Sequence, residues 1–276
     1  MLPSWRDEVR IALCPDRVIL ARVSGHWRGH VTAKHIVRVA ALHATDWRAC
    51  MEALRETLAD ERWGNAQATV IVSSHFVQYA LVPWSEELVA ADEKRAWVQH
   101  HFAEAYGESV ANAEYRWSED GPAAPCITSA VNGEFVNQLR RTFEATSLEL
   151  KSIQPYFMAV FNRWRRRTNR SAVWMLVVEP GRVSLGSMAQ GKWRRIVSRR
   201  IGADLRSELR IVLSREQVLC DAADAPVSVL AYVPEVPKFE IPGWNEVPLH
   251  SLAPRALAGF SPHSDSDYAM ALTGVA

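Results

Sequence analysis

Near the start of the chain, apolar and polar positions alternate with period two. Val9–Leu13 and Val18–Val23 are apolar runs on either side of Cys14-Pro15-Asp16-Arg17, which predicts two strands joined by a tight turn. His30–Ala40 (HVTAKHIVRVA) keeps the alternation and predicts a third, antiparallel strand. The period then lengthens. Trp47, Cys50, Met51, Leu54 and Leu58 recur at helical spacing, predicting a helix over 46–63 with Asp46 as its N-cap. Ala68–Ser73 (ATVIVS) is an almost unbroken apolar run, as a strand covered on both faces would be, and Phe76–Val82 predicts another strand stopped by Pro83.

The middle of the chain predicts a Trp- and His-rich helix over 90–105 closed by Gly107. Strands follow at 112–117 and 126–131, with a Gly/Pro/Ala turn between them. Next come a helix over 133–146 with Phe135, Val136, Leu139 and Phe143 on one face, a strand at 148–153, and a helix begun by Pro155 and running to 167. From Ala172 the pattern restarts. AVWMLVVE, RVSLGSM and KWRRIVSRRI predict three strands, 203–213 a helix and 227–233 a strand, before a Pro-rich passage (PEVPKFEIPGWNEVP) and a Ser/His/Asp loop at 261–267. A hairpin, a third strand and a helix, stated twice, is the layout of an α/β, actin-like (ribonuclease H-like) fold with two duplicated lobes. The expected division is a first lobe over 1–168, with a small inserted subdomain at about 83–121, and a second lobe over 169–276 whose C-terminal segment is a candidate to return to the first.

Composition narrows the function classes. The chain has 276 residues and a formal net charge of +1, so no global field draws it to nucleic acid or membrane. Four cysteines are widely spaced without a CxxC, which points to reduced thiols rather than a zinc or redox motif. The charged N-terminus MLPSWRDEVRIAL lacks the apolar core of a secretory signal, and the apolar run 172–178 is too short to cross a bilayer; a cytoplasmic protein is expected.

Several stretches carry a family resemblance. VIVSSHFVQYALVPWSEEL (70–88), the helix ending AYG (105–107), ITSAVNGEFVNQLRRTFEATSLELKSIQPYFMAVFNRW (127–164) and the C-terminal YAMALTGVA resemble, in order, the actin-like pilus-assembly protein PilM and the related cytoplasmic domains of GspL and MshI. The resemblance implies a cytoplasmic scaffold of a type IV pilus or type II secretion-like machine. Such a scaffold binds the cytoplasmic tail of an inner-membrane partner and can contact an assembly ATPase. It also implies where a nucleotide would sit, because nucleotide-binding members carry a D-x-G-x-x-S first hairpin and a second Asp/Gly-rich turn.

This chain departs at both turns. Its first turn is Cys14-Pro15-Asp16 and its second is Glu179-Pro180-Gly181; each has a proline, which offers no N–H to phosphate. Gln154 ends the linking strand where catalytic relatives tend to carry Asp. These six turn positions are therefore read as a vestigial phosphate site. No cofactor is expected, with ATP and Mg²⁺ the disfavoured alternative, and the chain is read as a pseudo-ATPase rather than an active ATPase or sugar-kinase-like enzyme. Asp16 and Glu179 are the carboxylates a degenerate metal pair would use, although carboxylates at turns ordinarily accept local hydrogen bonds.

Partner-binding candidates are Trp84, Trp97 and Tyr106 of the inserted segment, with core packing an equal alternative for Trp97. Two basic clusters, one holding Arg163, Arg165, Arg166 and Arg167 and the other Lys192, Arg194 and Arg195, read either as solvated faces or as a patch for anionic headgroups or an acidic partner. The balanced charge and lack of a recognition motif argue against nucleic acid, and any membrane contact is expected to be peripheral. Among the nine histidines, His26, His30 and His35 cluster about one hairpin, while His100 and His101 are helix neighbours pointing about 100° apart and unsuited to one metal; no metal site is expected. Ser73-Ser74-His75, read as extended strand, puts neighbouring side chains on opposite faces and so forms no catalytic dyad.

Overall fold

The computed structural model describes residues 7–25, 29–40, 43–83, 85, 87–88, 90–118, 124–168, 172–236 and 239–275. In chain order the first elements are β1 (Glu8–Leu13), β2 (Arg17–Ser24), β3 (His30–Arg38), α1 (Arg48–Leu58), β4 (Gln67–Val72), β5 (Val77–Val82), α2 (Ala91–Tyr106), β6 (Ala113–Trp117) and β7 (Cys126–Asn132). Then come α3 (Gly133–Glu144), β8 (Glu149–Pro155), α4 (Tyr156–Trp164), β9 (Val173–Glu179), β10 (Arg182–Ala189), β11 (Lys192–Arg200), α5 (Leu205–Val218), β12 (Ser228–Tyr232) and β13 (Leu249–Leu252).

Contacts divide the chain into two compact units. The first joins Met1–Val77, Gly133–Arg163 and Ala253–Ala276; the second joins Gln78–Asn132 and Trp164–Leu252. This differs from a boundary at 168/169. The segment 83–121 groups with the second unit, where Tyr106 lies within electrostatic reach of Arg182, and the last stretch of chain groups with the first.

The first unit is a five-stranded sheet in the order β3-β2-β1-β4-β8. β1 pairs antiparallel with β2 and parallel with β4, so it is central, and all its residues but Glu8 are buried. α1 turns Cys50, Met51, Leu54 and Leu58 inward, and α3 does the same with Phe135, Val136, Leu139 and Phe143. Phe135 lies 5.3 Å from the ring of Trp47 and 5.7 Å from that of Phe76. A second cluster is made where the returning chain lays Phe260, Ala269 and Leu272 on Ala21, Val23 and Val31. At the edge of that return, Val31 N–H donates to Ala258 C=O at 2.7 Å. Gly259 follows at φ +78, and a Cβ there would stand 2.2 Å from the Val31 carbonyl oxygen; glycine alone permits so close an approach.

The second unit repeats the order as β11-β10-β9-β12-β13 and adds a small sheet, β5-β7-β6. β9 (VWMLVVE) is buried along its whole length between antiparallel β10 and parallel β12. α5 packs Leu209, Val212 and Leu213 on Trp174, Leu176 and Val229. In the small sheet, Val98 and Phe102 of α2 pack with Val82, Val110, Tyr115 and Ala130.

Several elements differ from the sequence expectation. Helix 46–63 is α1 followed by a 3-10 turn, Glu61–Trp63, and its N-cap residue is Trp47; Asp46 instead accepts from Arg48 N–H at 3.1 Å. Ser73-Ser74-His75 is not extended strand but a buried turn between β4 and β5, in which Ser73 Oγ accepts from His75 N–H at 3.1 Å. α5 runs to Val218 rather than Leu213, and β13 emerges from the Pro-rich passage.

Candidate functional site

The first turn joins β1 to β2. Cys14 N–H donates to Arg17 C=O at 3.0 Å, and Asp16 C=O accepts from Val39 N–H at 2.8 Å. Pro15 has no N–H to offer. The buried Cys14 Sγ points at Met270 Sδ, 3.4 Å away. Beneath the turn, the buried Arg10 guanidinium donates from Nε to Ala271 C=O at 3.1 Å, from Nη2 to Thr273 C=O, and from Nη1 to the Glu8 carboxylate at 3.1 Å. The C-terminal YAMALTGVA is thus bound against this hairpin, and Asp16 is exposed beyond it. Arg17 stands 3.9 Å from both Asp16 and Asp267.

The second turn joins β9 to β10. Glu179 pairs with Arg182 across Pro180 and Gly181, and Gly181 has φ +74. Proline followed by a left-handed glycine is the type II arrangement. Gly181 C=O accepts from Ile201 N–H at 3.1 Å. A cavity of about 200 Å³ opens here, with apolar walls from Val178, Ile201, Leu205, Val233 and Val236 and two carboxylates, Glu179 and Glu235. Among the described residues it has no lysine or arginine in its lining. The N-terminus of α5 also borders it, and that end is already capped: Asp204 accepts from Ser207 N–H at 3.3 Å, and the Ser207 hydroxyl, together with that N–H, holds the Asp204 carboxyl below its usual range. A polyphosphate placed here would meet two carboxylates and a helix end whose own aspartate occupies the anion position.

Arg182, at the exit of the turn, points elsewhere. Its Nη1 donates to Ser198 Oγ at 3.1 Å, and Ser184 Oγ donates to the same hydroxyl at 3.0 Å. Burial pushes the guanidinium down, while Glu179, Tyr79 and Tyr106 pull it back up. Tyr106 O–H donates to Tyr79 C=O at 2.6 Å, its ring stacks on Phe102 at 5.7 Å, and burial raises its pKa.

The remaining sequence candidates are spread across the molecule. Trp84 and His26 lie outside the described residues. Trp97 is half-buried on α2; its Nε1 donates to Pro83 C=O at 2.9 Å and its ring lies 4.4 Å from that of His101. Tyr106 is 37 % exposed. His100 faces Glu104 at 3.4 Å, and His35 lies 6.5 Å from the ring of Trp63. Gln154 donates to Ser152 Oγ at 3.1 Å on β8. Of the basic clusters, Arg163, Arg165, Arg166 and Arg167 are exposed at the end of α4 and the 3-10 turn after it, and Lys192 is exposed on β11. Arg194 is bound to Asp224 at 3.2 Å and Arg195 to the buried Glu216 at 2.6 Å. Cys50, buried beside Asp46, has its thiol pushed up to about 12 and is no nucleophile.

Two features of the second turn were not legible beforehand: Glu235, hidden in a Pro-rich stretch, and the capping role of Asp204, whose signal is an acid followed by LRSEL.

No protein-family profile matches the chain, and no curated protein does. Solved structures do. The cytoplasmic domain of EpsL, an inner-membrane component of the type II secretion system of Vibrio cholerae, aligns with TM-score 0.59 at 10 % identity, over 89 % of this chain and 90 % of that one. A Bacteroides thetaiotaomicron protein with an actin-like ATPase fold aligns with TM-score 0.52 at 7 % identity over 84 % of each chain. The PilM–PilN type IV pilus biogenesis complex aligns with TM-score 0.52 at 14 % identity over 79 % of this chain and 68 % of that one. With two sheets of one strand order and these structural neighbours, the chain has the actin-like fold.

Proposed function

We propose that this chain is a scaffold of a bacterial envelope assembly machine, of the type II secretion or type IV pilus kind, whose nucleotide site is degenerate. In this reading it works in the cytoplasm at the inner-membrane face, binds the cytoplasmic tail of a membrane partner, and turns over no ATP. The fold is shared with EpsL and with the PilM–PilN complex, proteins named for those machines. No helix among the described residues is long and apolar enough to cross a membrane, so attachment would come through a partner or a surface.

The observation that carries the pseudo-ATPase reading is the chemistry of the two turns. The first spends its Cys14 N–H and Asp16 C=O internally and is backed by the C-terminal segment; the second faces a cavity lined by Glu179 and Glu235. Phosphate binding needs converging N–H groups and free positive charge; each turn has a proline without an N–H, Arg17 stands between Asp16 and Asp267, and Arg182 donates to Ser198, which supports a degenerate site.

Thermal unfolding tests this. A ligand held at about a hundred times its Kd stabilises by about 2.7 kcal/mol, which for a chain of this size is a Tm rise of about 5 °C or more. Millimolar Mg-ATP or Mg-ADP is expected to leave Tm unchanged, and a rise of that size favours the alternative, an active ATPase or sugar-kinase-like enzyme. For the partner, immobilised peptides matching the cytoplasmic tails of membrane proteins encoded beside this one are expected to retain the chain; retention by none of them overturns the scaffold reading.

A further inference from the structure

Two positions on the outer face of α5 are large and apolar where a solvated helix would be polar. Its inner face buries Leu209, Val212 and Leu213. Yet Ile211 is 63 % exposed and Val218 is 85 % exposed. Seven residues apart, they lie two turns along a single stripe. Past the helix end, Leu219 is 50 % exposed and Val227, one residue before β12, is 58 % exposed. Of the five large hydrophobics exposed among the described residues, four fall in this helix and the segment that follows it, a concentration that marks a contact surface.

The free charge on the helix's own outer face is positive. Arg206, Arg210 and Arg215 are exposed on the same helix. The helix's two glutamates are withdrawn: Glu208 is half-buried, and Glu216 is buried against Arg195 and Arg199. Exposed acids lie off the helix: Asp204, which caps it, Asp221 beyond its end, and Glu240 and Glu246 of the loop against which Arg210 rests; Asp224 is bound to Arg194. A second copy of this chain is a poor occupant, because packing α5 on α5 would set arginines against arginines. Three arginines and no freely exposed glutamate on the helix favour an anionic occupant that accepts aliphatic side chains.

We infer that the α5 face, with Ile211 and Val218 flanked by Arg206, Arg210 and Arg215, docks on an anionic lipid bilayer. Aliphatic side chains enter the headgroup boundary, while arginines reach the phosphates along their methylene stems. A protein partner fits less well. Protein interfaces are anchored by Trp, Tyr and Arg, with Leu and Val under-represented, and the large exposed apolar residues of this patch are Ile, Val and Leu alone. The surface is a helix's convex outer face, which a fluid bilayer can mould around. This inference does not rest on the scaffold reading, since it follows from exposure and charge on one helix.

Co-sedimentation of the full chain with vesicles tests it. Binding is expected to mixed phosphatidylglycerol–phosphatidylcholine vesicles, to weaken as salt rises, and to be lost with pure phosphatidylcholine. Each arginine near an anionic surface is worth about fivefold in partitioning, so Arg210→Gln with Arg215→Gln should weaken binding about 25-fold. Ile211→Ser with Val218→Ser should weaken it about tenfold or more. All four positions are exposed, so the variants should keep the parent's melting curve. In a Cys220→Ser background, whose other cysteines are buried, an environment-sensitive dye on Val218→Cys should shift to the blue with anionic vesicles. Equal sedimentation with both vesicle types, variants that bind like the parent, or an unshifted dye overturns the inference. An acidic protein as the true occupant would give that same indifference to lipid. A chain that captures a membrane-protein tail but ignores vesicles sinks the bilayer contact and leaves the scaffold reading standing; the opposite pattern does the reverse.

Discussion

In the first unit the turn after β1 is backed by the end of the chain, while in the second unit the turn after β9 borders an open cavity. The strand order around each is the same, and so is the antiparallel hairpin, but the neighbourhoods diverge. Arg10 and Cys14 hold the returning segment under the first turn. At the second turn Gly181 C=O accepts from Ile201 N–H, and the cavity beside it has Glu179 and Glu235 in its lining. The difference teaches that a duplicated scaffold fixes where a turn stands and leaves its chemistry free. In one copy the end of the chain packs under the turn; in the other, carboxylates line a cavity beside it.

The largest effect is expected from removing the buried arginine of the first unit. Arg10→Ala strips the donors from two main-chain carbonyls, Ala271 and Thr273, and from Glu8. Leaving buried acceptors unpaired costs about 1–3 kcal/mol each, and breaking a buried charged pair about 3–5 kcal/mol. Glu8 is partly exposed and can rehydrate, so a loss of about 3 kcal/mol is expected in urea unfolding. The C-terminal segment should become open to proteolysis first. A loss below about 1 kcal/mol would mean that the returning segment is held by its apolar contacts alone, and the contrast between the two turns would shrink accordingly.

Much of this architecture could be read from the sequence because its signals are local. The β1–β2 and β9–β10 hairpins announce themselves by apolar runs broken at Pro15-Asp16 and Pro180-Gly181, and the helices α1 and α3 by their repeat. What could not be read depends on distant partners. The pattern of α5 fades after Leu213 because its next inward position is Glu216, a buried carboxylate held by Arg195 and Arg199 of β11; apolar periodicity cannot register a core position filled by an ion pair. β13 is masked by prolines before it, and its pairing with β12 is set by register rather than by composition. Ser73-Ser74-His75 has no glycine or proline to mark a turn; the Ser73 hydroxyl closes it by accepting from His75 N–H. At the candidate site the two prolines were visible, but the Arg10 clamp and the Glu235 wall were not, since each joins residues far apart in the chain.

A smaller effect separates the turns themselves. Gly181 has φ +74, where a side chain is strained, and Gly181→Ala should cost about 1 kcal/mol. No residue of the first turn has a positive φ among those described, so Pro15→Ala should cost only what the freer unfolded chain gains, about 0.5 kcal/mol. Paired urea midpoints measure both. Equal costs would mean that the two turns are constrained alike.

The smallest expected effect concerns how the first unit holds its returning chain at low pH. Lys34 Nζ stands 2.7 Å from Asp265 Oδ1, with Tyr268 beneath the cation at 5.5 Å, and Asp265 also accepts from Ser261 N–H at 2.9 Å. The Lys34 hydrogen bond, helped by Ser261 N–H, holds the Asp265 carboxyl below its usual range. A depressed carboxylate contributes stability above its unfolded pKa, about 3.9, and loses it as pH falls through the lower folded value. The pair is part-exposed and screened, so it is worth about 0.5 kcal/mol. Asp265→Asn should therefore lie about that much below the parent in urea at pH 7, and the gap should close as pH falls below about 3.9 and on through the lower folded value. A gap that persists in acid would assign the contribution to the Asp265 hydrogen bonds rather than to its charge, and would make the strap on the first turn independent of pH.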